Sequence, residues 1–122
     1  MLTLYGIPNC DQARQARRWL DAHRVDYRFR DLRADGLDAH RLQVWATDLG
    51  WEALLNRRST TWRSLDATER EGLDQRRALA LMLAHPSLIK RPLLDLGRRR
   101  QLGFSDADYR RLLGAFAAVT DR

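Results

Sequence analysis

Cysteine, proline and long apolar runs are all scarce in this chain of 122 residues. The single cysteine, Cys10, excludes an internal disulfide, so any disulfide must join the chain to another molecule. No window approaches the roughly 18 apolar residues that cross a membrane. The chain does not open on a basic segment followed by a long apolar stretch, as a secretory signal would. We therefore expect a cytoplasmic protein without a membrane partner.

Metal ligands and nucleic-acid motifs are also lacking. The three histidines are dispersed, and with one cysteine they form no metal-ligand spacing, so we expect no metal and no bound cofactor. The net charge is +6, but charges of both signs are interspersed along most of the chain. The one dense run, Arg98-Arg99-Arg100, follows Gly97 and is interpreted as a solvated hairpin tip rather than a nucleic-acid contact. The length fits one domain, residues 1–122, which we expect to be a monomer.

Hydrophobic periodicity predicts a strand, a helix and a second strand near the start of the chain. Residues 2–5 are followed by Gly6 and Pro8, as in a strand that enters a βα loop. Residues 25–30 alternate with period two, which predicts a strand parallel to the first. Between them, one helical face is formed by Ala13, Ala16, Trp19 and Leu20.

Helical spacing continues in the middle of the chain, where we expect an all-helical insertion over approximately residues 37–86. Beyond it, residues 88–95 and 98–104 are predicted to be two strands of a hairpin. A closing helix follows. Its buried face is predicted to contain Tyr109, Leu112, Leu113 and Phe116.

The predicted order is that of a thioredoxin-like α/β fold, in which βαβ and ββα halves of a mixed four-stranded sheet are separated here by the helical insertion. Ligands of such sheets bind beyond the carboxyl ends of the parallel strands, where Cys10 is expected. Pro92 cannot donate to a central ladder and belongs at a strand start. We predict that the Arg91–Pro92 peptide bond is cis and faces Cys10.

Cys10 itself has two interpretations from its local sequence. Free cysteine is among the most buried residue types, so Cys10 can be a small core hydrophobe. A helix N-terminus, however, favours the thiolate through the helix dipole and the unpaired backbone N–H groups. Because the thiolate attacks electrophiles, Cys10 is also a candidate nucleophile.

Three separate segments carry a family resemblance: residues 6–11 (GIPNCD), residues 54–63 (LLNRRSTTWR) and residues 85–92 (HPSLIKRP). Together they resemble the arsenate reductase (ArsC) and Spx family, most closely its YffB-like branch. The resemblance implies that Cys10 is the nucleophile and that Arg91 stabilises its thiolate or a ligand. The ligand-binding positions that it implies are Asn9, Asn56, Arg57, Thr60 and Pro92.

The resemblance breaks at the arginines that hold arsenate in glutaredoxin-coupled arsenate reductases. Of the family's three arginines, the second falls on Asn56 and the third on Gly103. Each charge-assisted hydrogen bond to the oxyanion contributes about 1.5 to 3 kcal/mol, so their loss disfavours arsenate. A disulfide substrate needs only a reactive thiol and a docking surface.

The position of a second cysteine, three residues after the first in dithiol oxidoreductases, is occupied by Ala13. We therefore expect a glutathione-dependent thiol-disulfide reductase that works with one thiol. Its substrate would be a small-molecule or protein disulfide, with glutathione as co-substrate or glutaredoxin as partner. Two alternatives stay open: an Spx-like non-enzymatic regulator that binds RNA polymerase, and an atypical glutathione- or glutaredoxin-coupled arsenate reductase.

Overall fold

The computed structural model describes residues 2–120, with side chains for residues 2–114. The chain forms two compact units, Met1–Asp31 with Arg91–Arg122, and Leu32–Lys90. The helices are α1 (Asp11–Ala22), α2 (Ala39–Leu49), α3 (Trp51–Leu54), α4 (Thr60–Ser64), α5 (Ala67–Arg70), α6 (Gln75–Ala84) and α7 (Asp106–Thr120). Over the described part of the chain, none of these helices is long and apolar enough to cross a membrane.

The first unit is built on a mixed four-stranded sheet in the order β2-β1-β3-β4. The strands are β1 (Leu2–Gly6), β2 (Tyr27–Asp31), β3 (Leu93–Asp95) and β4 (Arg100–Leu102). β1 pairs in parallel with β2 and antiparallel with β3, which pairs antiparallel with β4. This is the thioredoxin-like arrangement that the sequence predicted, with the βαβ half first and the ββα half last.

The core of the first unit lies between one face of the sheet and the helices α1 and α7. Leu4 of β1 stands opposite Phe29 of β2 and Leu94 of β3, which places all three on the same face of the sheet. The predicted apolar face of α1 is buried and packs on that face through Ala16, Trp19 and Leu20. From α7, Tyr109 and Leu113 complete the cluster as predicted, whereas the side chain of Phe116 lies outside the described residues.

The hairpin strands are shorter than predicted. Leu88 ends a 3-10 turn, Pro86–Leu88, and Ile89 forms an isolated bridge with Leu55 instead of extending β3. Pro92 explains the boundary, because its nitrogen has no hydrogen to donate to the ladder and the strand begins only at Leu93.

The arginine run after Gly97 is divided between the tip and the second strand of the hairpin. Arg98 and Arg99 are exposed at the tip, as expected. Arg100 lies in β4, where its Nε is 3.4 Å from Oδ1 of the buried Asp95. The same carboxylate oxygen accepts the backbone N–H of Gly97 at 2.8 Å, so Asp95 stabilises the turn.

The second unit contains α2 to α6, which span the predicted helical insertion. Backbone hydrogen bonds join its two ends: the Asn56 N–H donates to the Leu88 carbonyl at 2.7 Å, and the Lys90 N–H to the Leu54 carbonyl at 2.8 Å. Arg77 of α6 closes the turn after α5. Its guanidinium donates to the carbonyls of Thr68, Glu71 and Gly72 at 3.0, 2.8 and 3.1 Å.

Two glycines of the first unit predict opposite effects of the same substitution. A Cβ at Gly6 would lie 3.2 Å from the Cβ of Ala13, whereas a Cβ at Gly114, inside α7, would meet nothing within 4 Å. We expect Gly6→Ala to lower the free energy of unfolding by about 1 to 3 kcal/mol through overpacking. Gly114→Ala should raise it by roughly 0.5 to 1 kcal/mol, because alanine has the higher helix propensity. Urea unfolding measures both, and shifts of the same sign would contradict this packing.

Asp106, in the first turn of α7, links acid stability to the contact between α1 and α7. Hydrogen bonds from Arg110 and then from the Trp19 indole hold its pKa below the ordinary value of 3.8. A lowered pKa in the folded state contributes stability above the ordinary value, and this is lost as the pH falls through the folded-state pKa. We expect the thermal midpoint to fall below about pH 4. Asp106→Asn should flatten this decline and Arg110→Gln should reduce it; wild-type pH profiles in both variants would contradict the assignment.

Candidate functional site

Cys10 stands where the first strand leads into the first helix. β1 ends at Gly6, and after a short loop Cys10 is the N-cap residue of α1 with an extended backbone. Its N–H donates to the Ile7 carbonyl at 3.0 Å, and its carbonyl accepts the Arg14 N–H at 3.0 Å. The backbone of Cys10 therefore closes the loop and begins the helix.

The side chain of Cys10 is partly buried and makes no capping hydrogen bond to the helix. It is thus accessible, unlike Ala13 one turn later, whose side chain is fully buried. Asp11, the next residue, is exposed and forms an ion pair with Arg14 on the outside of the helix. The Asp11 carboxylate is therefore engaged on the solvent side of the helix.

Arg91 and Pro92 lie at the same edge of the sheet as the Cys10 loop. Tyr5 stands opposite Leu93 in the β1–β3 register, so the two residues before Leu93 lie level with the end of β1. The predicted cis Arg91–Pro92 peptide bond is confirmed. Pro92 is buried and Arg91 is partly buried. That this peptide bond faces Cys10 stays a prediction.

Gly103, just after β4, completes this edge. Its N–H donates to the Pro92 carbonyl at 2.8 Å, which connects the turn after β4 with the start of β3. Its φ of +73° is a left-handed conformation that favours glycine. A Cβ at this position would lie 3.7 Å from Oε1 of Gln12 in the first turn of α1. The Gln12 side chain thus lies beside Gly103, a proximity for which the sequence context carries no signal.

The other predicted ligand-binding residues belong to the second unit. Oδ1 of Asn56 accepts the backbone N–H of Arg58 at 3.1 Å, so this side chain holds its own turn. Ser59 then begins α4, because its Oγ accepts the Trp62 N–H at 3.1 Å. Arg57 is exposed with its Cζ 5.8 Å from the centre of the Trp62 ring.

The structure therefore divides the predicted site residues between the two units. Cys10, Arg91 and Pro92 belong to the first unit, as does Asn9, which is exposed in the loop before Cys10. Thr60, the exposed first residue of α4, belongs to the second unit with Asn56 and Arg57. A joint role of the two sets at one ligand stays a prediction.

The sheet order, the accessible cysteine at the start of the first helix and the cis proline before the third strand define a protein of the thioredoxin-like class. Comparison with known proteins narrows this class. A model of the ArsC family matches residues 5–112. The chain belongs to the ArsC family.

The proteins that are similar in sequence include an uncharacterized protein and a transcriptional regulator. An uncharacterized protein of Haemophilus influenzae is 41% identical over 109 residues, covering 89% of this chain and 96% of the relative. The global transcriptional regulator Spx of Enterococcus faecalis is 31% identical over 115 residues, covering 93% of this chain and 86% of that protein.

Solved structures agree on the fold. The YFFB protein superposes with a TM-score of 0.88 at 46% identity, covering 91% of this chain and 97% of that one. An arsenate reductase (ArsC) related protein from Brucella melitensis superposes with a TM-score of 0.72 at 44% identity, covering 90% of this chain and 92% of that one. These neighbours support the YffB-like branch of the family.

The hydrogen bond of Asn56 to its own turn predicts how this position tolerates change. Asn56→Asp keeps an acceptor for the Arg58 N–H, and we expect it to leave the free energy of unfolding nearly unchanged. Asn56→Ala removes the acceptor and should lower that free energy by about 1 kcal/mol. Urea unfolding of both variants measures this. Equal losses in the two would show that the turn does not depend on the Asn56 oxygen.

Proposed function

We propose that the protein is a glutathione-dependent thiol-disulfide reductase in which Cys10 is the only redox-active cysteine. The observation that carries the proposal is that Cys10, the N-cap residue of α1, is a partly exposed residue with a free thiol. Unpaired N–H groups and the dipole of a helix N-terminus favour the thiolate. The Asp11 carboxylate, which would oppose thiolate formation, is exposed and paired with Arg14.

The cycle needs two exchanges of sulfur bonds. The Cys10 thiolate attacks the glutathione sulfur of a mixed disulfide, the disulfide bond breaks, and the substrate thiolate leaves. A second glutathione thiolate then attacks the glutathione sulfur bound to Cys10, which releases oxidised glutathione and restores the Cys10 thiolate. In total, one glutathione thiol is consumed for each mixed disulfide: the substrate leaves as a thiol and the two glutathione units leave as one disulfide, so one disulfide bond replaces another and the electrons balance.

Arg91 is proposed to stabilise the thiolate or a carboxylate of glutathione, for which a guanidinium offers paired donors. Pro92 and Asn9 would line the same edge of the sheet. Asn56, Arg57 and Thr60 are proposed as further ligand contacts from the second unit. Of these, Arg57 has an exposed charge, whereas Asn56 already uses its side-chain oxygen in its own turn.

Arsenate is the less favoured substrate. The position that the resemblance assigns to the family's third arginine is Gly103, whose φ of +73° is unfavourable for a residue with a side chain. This backbone conformation disfavours an arginine at position 103, so the absence of the family's third arginine is a structural feature of the site. A neutral disulfide sulfur does not need that cation.

Reaction with oxidised glutathione tests the proposal. We expect folded wild-type protein at pH 7 to form a mixed disulfide at Cys10 at least about tenfold faster than the protein unfolded in urea, and reduced glutathione to release it. Arg91→Ala should slow the reaction, whereas Arg98→Ala, at the exposed hairpin tip, should not. Mass spectrometry measures the adduct over time, with Cys10→Ser as the unreactive control.

Two results would contradict this proposal. One is a rate of mixed-disulfide formation in the folded protein no higher than in the unfolded protein, and the other is an adduct that reduced glutathione does not release. A coupled arsenate reduction assay, run in parallel on wild type and Cys10→Ser, tests the arsenate alternative. Activity with arsenate that exceeds activity with disulfides would replace the proposed substrate class.

A second candidate function is non-enzymatic regulation through RNA polymerase. The similarity to proteins called global transcriptional regulator Spx favours it. The single cysteine argues against a two-cysteine switch, since Ala13 stands at the second position. Co-purification with RNA polymerase by Cys10→Ser as efficiently as by wild type, together with an unreactive wild-type thiol, would support this candidate over the reductase.

A further inference from the structure

β2 forms one outer edge of the four-stranded sheet, since the strand order is β2-β1-β3-β4. It pairs in parallel with β1 along its whole length, Tyr27–Asp31. Every second residue of such an edge strand directs its N–H and carbonyl away from the sheet. Among the described residues, no backbone hydrogen bond other than those to β1 reaches positions 27–30. This edge of the sheet is therefore open to a further strand.

Basic side chains flank the edge on both faces of the sheet. Phe29 packs on the face that α1 and α7 cover, so the alternation of side chains along a strand places Arg28 and Arg30 on the opposite face. Arg28 is exposed, and Arg30 is partly buried. On the Phe29 face, the Cζ of Arg17 lies 4.4 Å from the centre of the Phe29 ring, and its Nε donates to the Tyr27 hydroxyl at 3.4 Å. These contacts hold the Arg17 guanidinium beside the strand.

Positive charge predominates along this edge. Residues 24–33 contain four arginines and two aspartates, and Arg17 adds a further cation from α1. Asp26 precedes the strand and Asp31 is its last residue, so the middle of β2 is basic. Opposite charges across a strand pair stabilise the pairing. A strand with carboxylates at matching positions would therefore complement β2.

A second copy of this chain is a poor occupant of the edge. The register that pairs two whole β2 strands antiparallel is centred on Phe29, and it places each Arg28 opposite an Arg30. Like charges directly opposite each other destabilise a strand pair. The arginines thus disfavour pairing of the edge with itself and favour a strand of opposite charge.

A nucleic acid also fits the edge less well than a peptide does, although both can be acidic. Single strands of nucleic acid bind by stacking their bases on accessible aromatic rings. The two rings at this edge, Tyr27 and Phe29, are partly buried against the core of the first unit, and Phe29 is also in contact with Arg17. The outward N–H and carbonyl groups of β2 need a partner that both accepts and donates hydrogen bonds, which a peptide backbone provides and a phosphate backbone does not.

We propose that the β2 edge is a docking site for an extended acidic peptide segment of another protein, which adds to the sheet as an outer strand beside β2. Main-chain hydrogen bonds provide the pairing, as in other cases of strand addition. Carboxylates two residues apart meet Arg28 and Arg30, and a carboxylate on the other face meets Arg17. The proposal goes beyond the thiol chemistry and uses none of the residues assigned to it.

A short synthetic peptide in which glutamate alternates with threonine is the probe, because its carboxylates repeat every second residue, as Arg28 and Arg30 do. We expect the full-length protein to bind this peptide saturably at low salt, as measured by fluorescence anisotropy, and not to bind the same peptide with lysine in place of glutamate. Hydrogen exchange of the β2 amides should slow when the glutamate peptide is bound. A third peptide, with methylated backbone nitrogens, keeps every carboxylate but loses its N–H donors, and it should not bind.

Arg28→Glu should weaken the affinity for the glutamate peptide about fivefold or more, because a repulsion replaces an attraction at an exposed position. Arg28→Gln, which removes the charge without reversing it, should give a smaller loss. Arg98→Glu is the matched control, since it changes the net charge equally at the exposed hairpin tip and should keep the wild-type affinity. Arg28→Glu should also react with oxidised glutathione at the wild-type rate, so that this proposal and the proposed function can fail separately.

Three results would overturn the proposal. The first is the absence of saturable binding of the glutamate peptide, and the second is equal binding of the methylated peptide, which would show attraction of charge without strand addition. The third is an equal loss in Arg28→Glu and Arg98→Glu, which would show a response to net charge alone. Tighter binding of oligothymidylate than of the glutamate peptide, lost in Arg28→Glu, would assign the edge to a nucleic acid instead.

Discussion

The close approach of α1 to the end of β1 at Gly6 is the contact on which the site depends. A side chain at Gly6 would press on Ala13 at 3.2 Å, so the absence of one lets the first helical turn pack directly over the strand. That packing determines where the helix begins and hence where Cys10 and Gln12 lie. Beyond this first turn, the buried face of α1 continues to pack on the sheet.

On the hairpin side of the same edge of the sheet, the positions of Pro92 and Gly103 depend on backbone geometry rather than on side-chain contacts. Pro92 immediately precedes β3, and its carbonyl accepts the N–H of Gly103, whose left-handed backbone favours glycine. Gly103 has no side chain at the position where the resemblance predicts the family's third arginine.

Much of this fold follows from sequence pattern. The alternation in β2 and the helical spacing of α1 are strong local signals because each element buries one face. The hairpin was predicted too long because residues 88–91 are partly apolar and resemble a strand. Ile89 pairs instead with Leu55, a contact between distant segments that no local pattern reveals. The arginine run after Gly97 was predicted to form the hairpin tip, but Arg100 lies in β4 because it pairs with Asp95 across the hairpin. This contact is also invisible to local pattern.

The candidate site, like the fold, could be predicted from the sequence only in part. Sequence alone determined that one cysteine stands at the start of a helix after a strand and that no second cysteine follows at Ala13, because these depend on neighbouring residues. Tertiary structure decided that the Gly103 N–H donates to the Pro92 carbonyl, that Gly103 is left-handed and that Gln12 lies beside it. Such facts depend on how segments far apart in the chain pack and hydrogen-bond, which no local sequence pattern reveals.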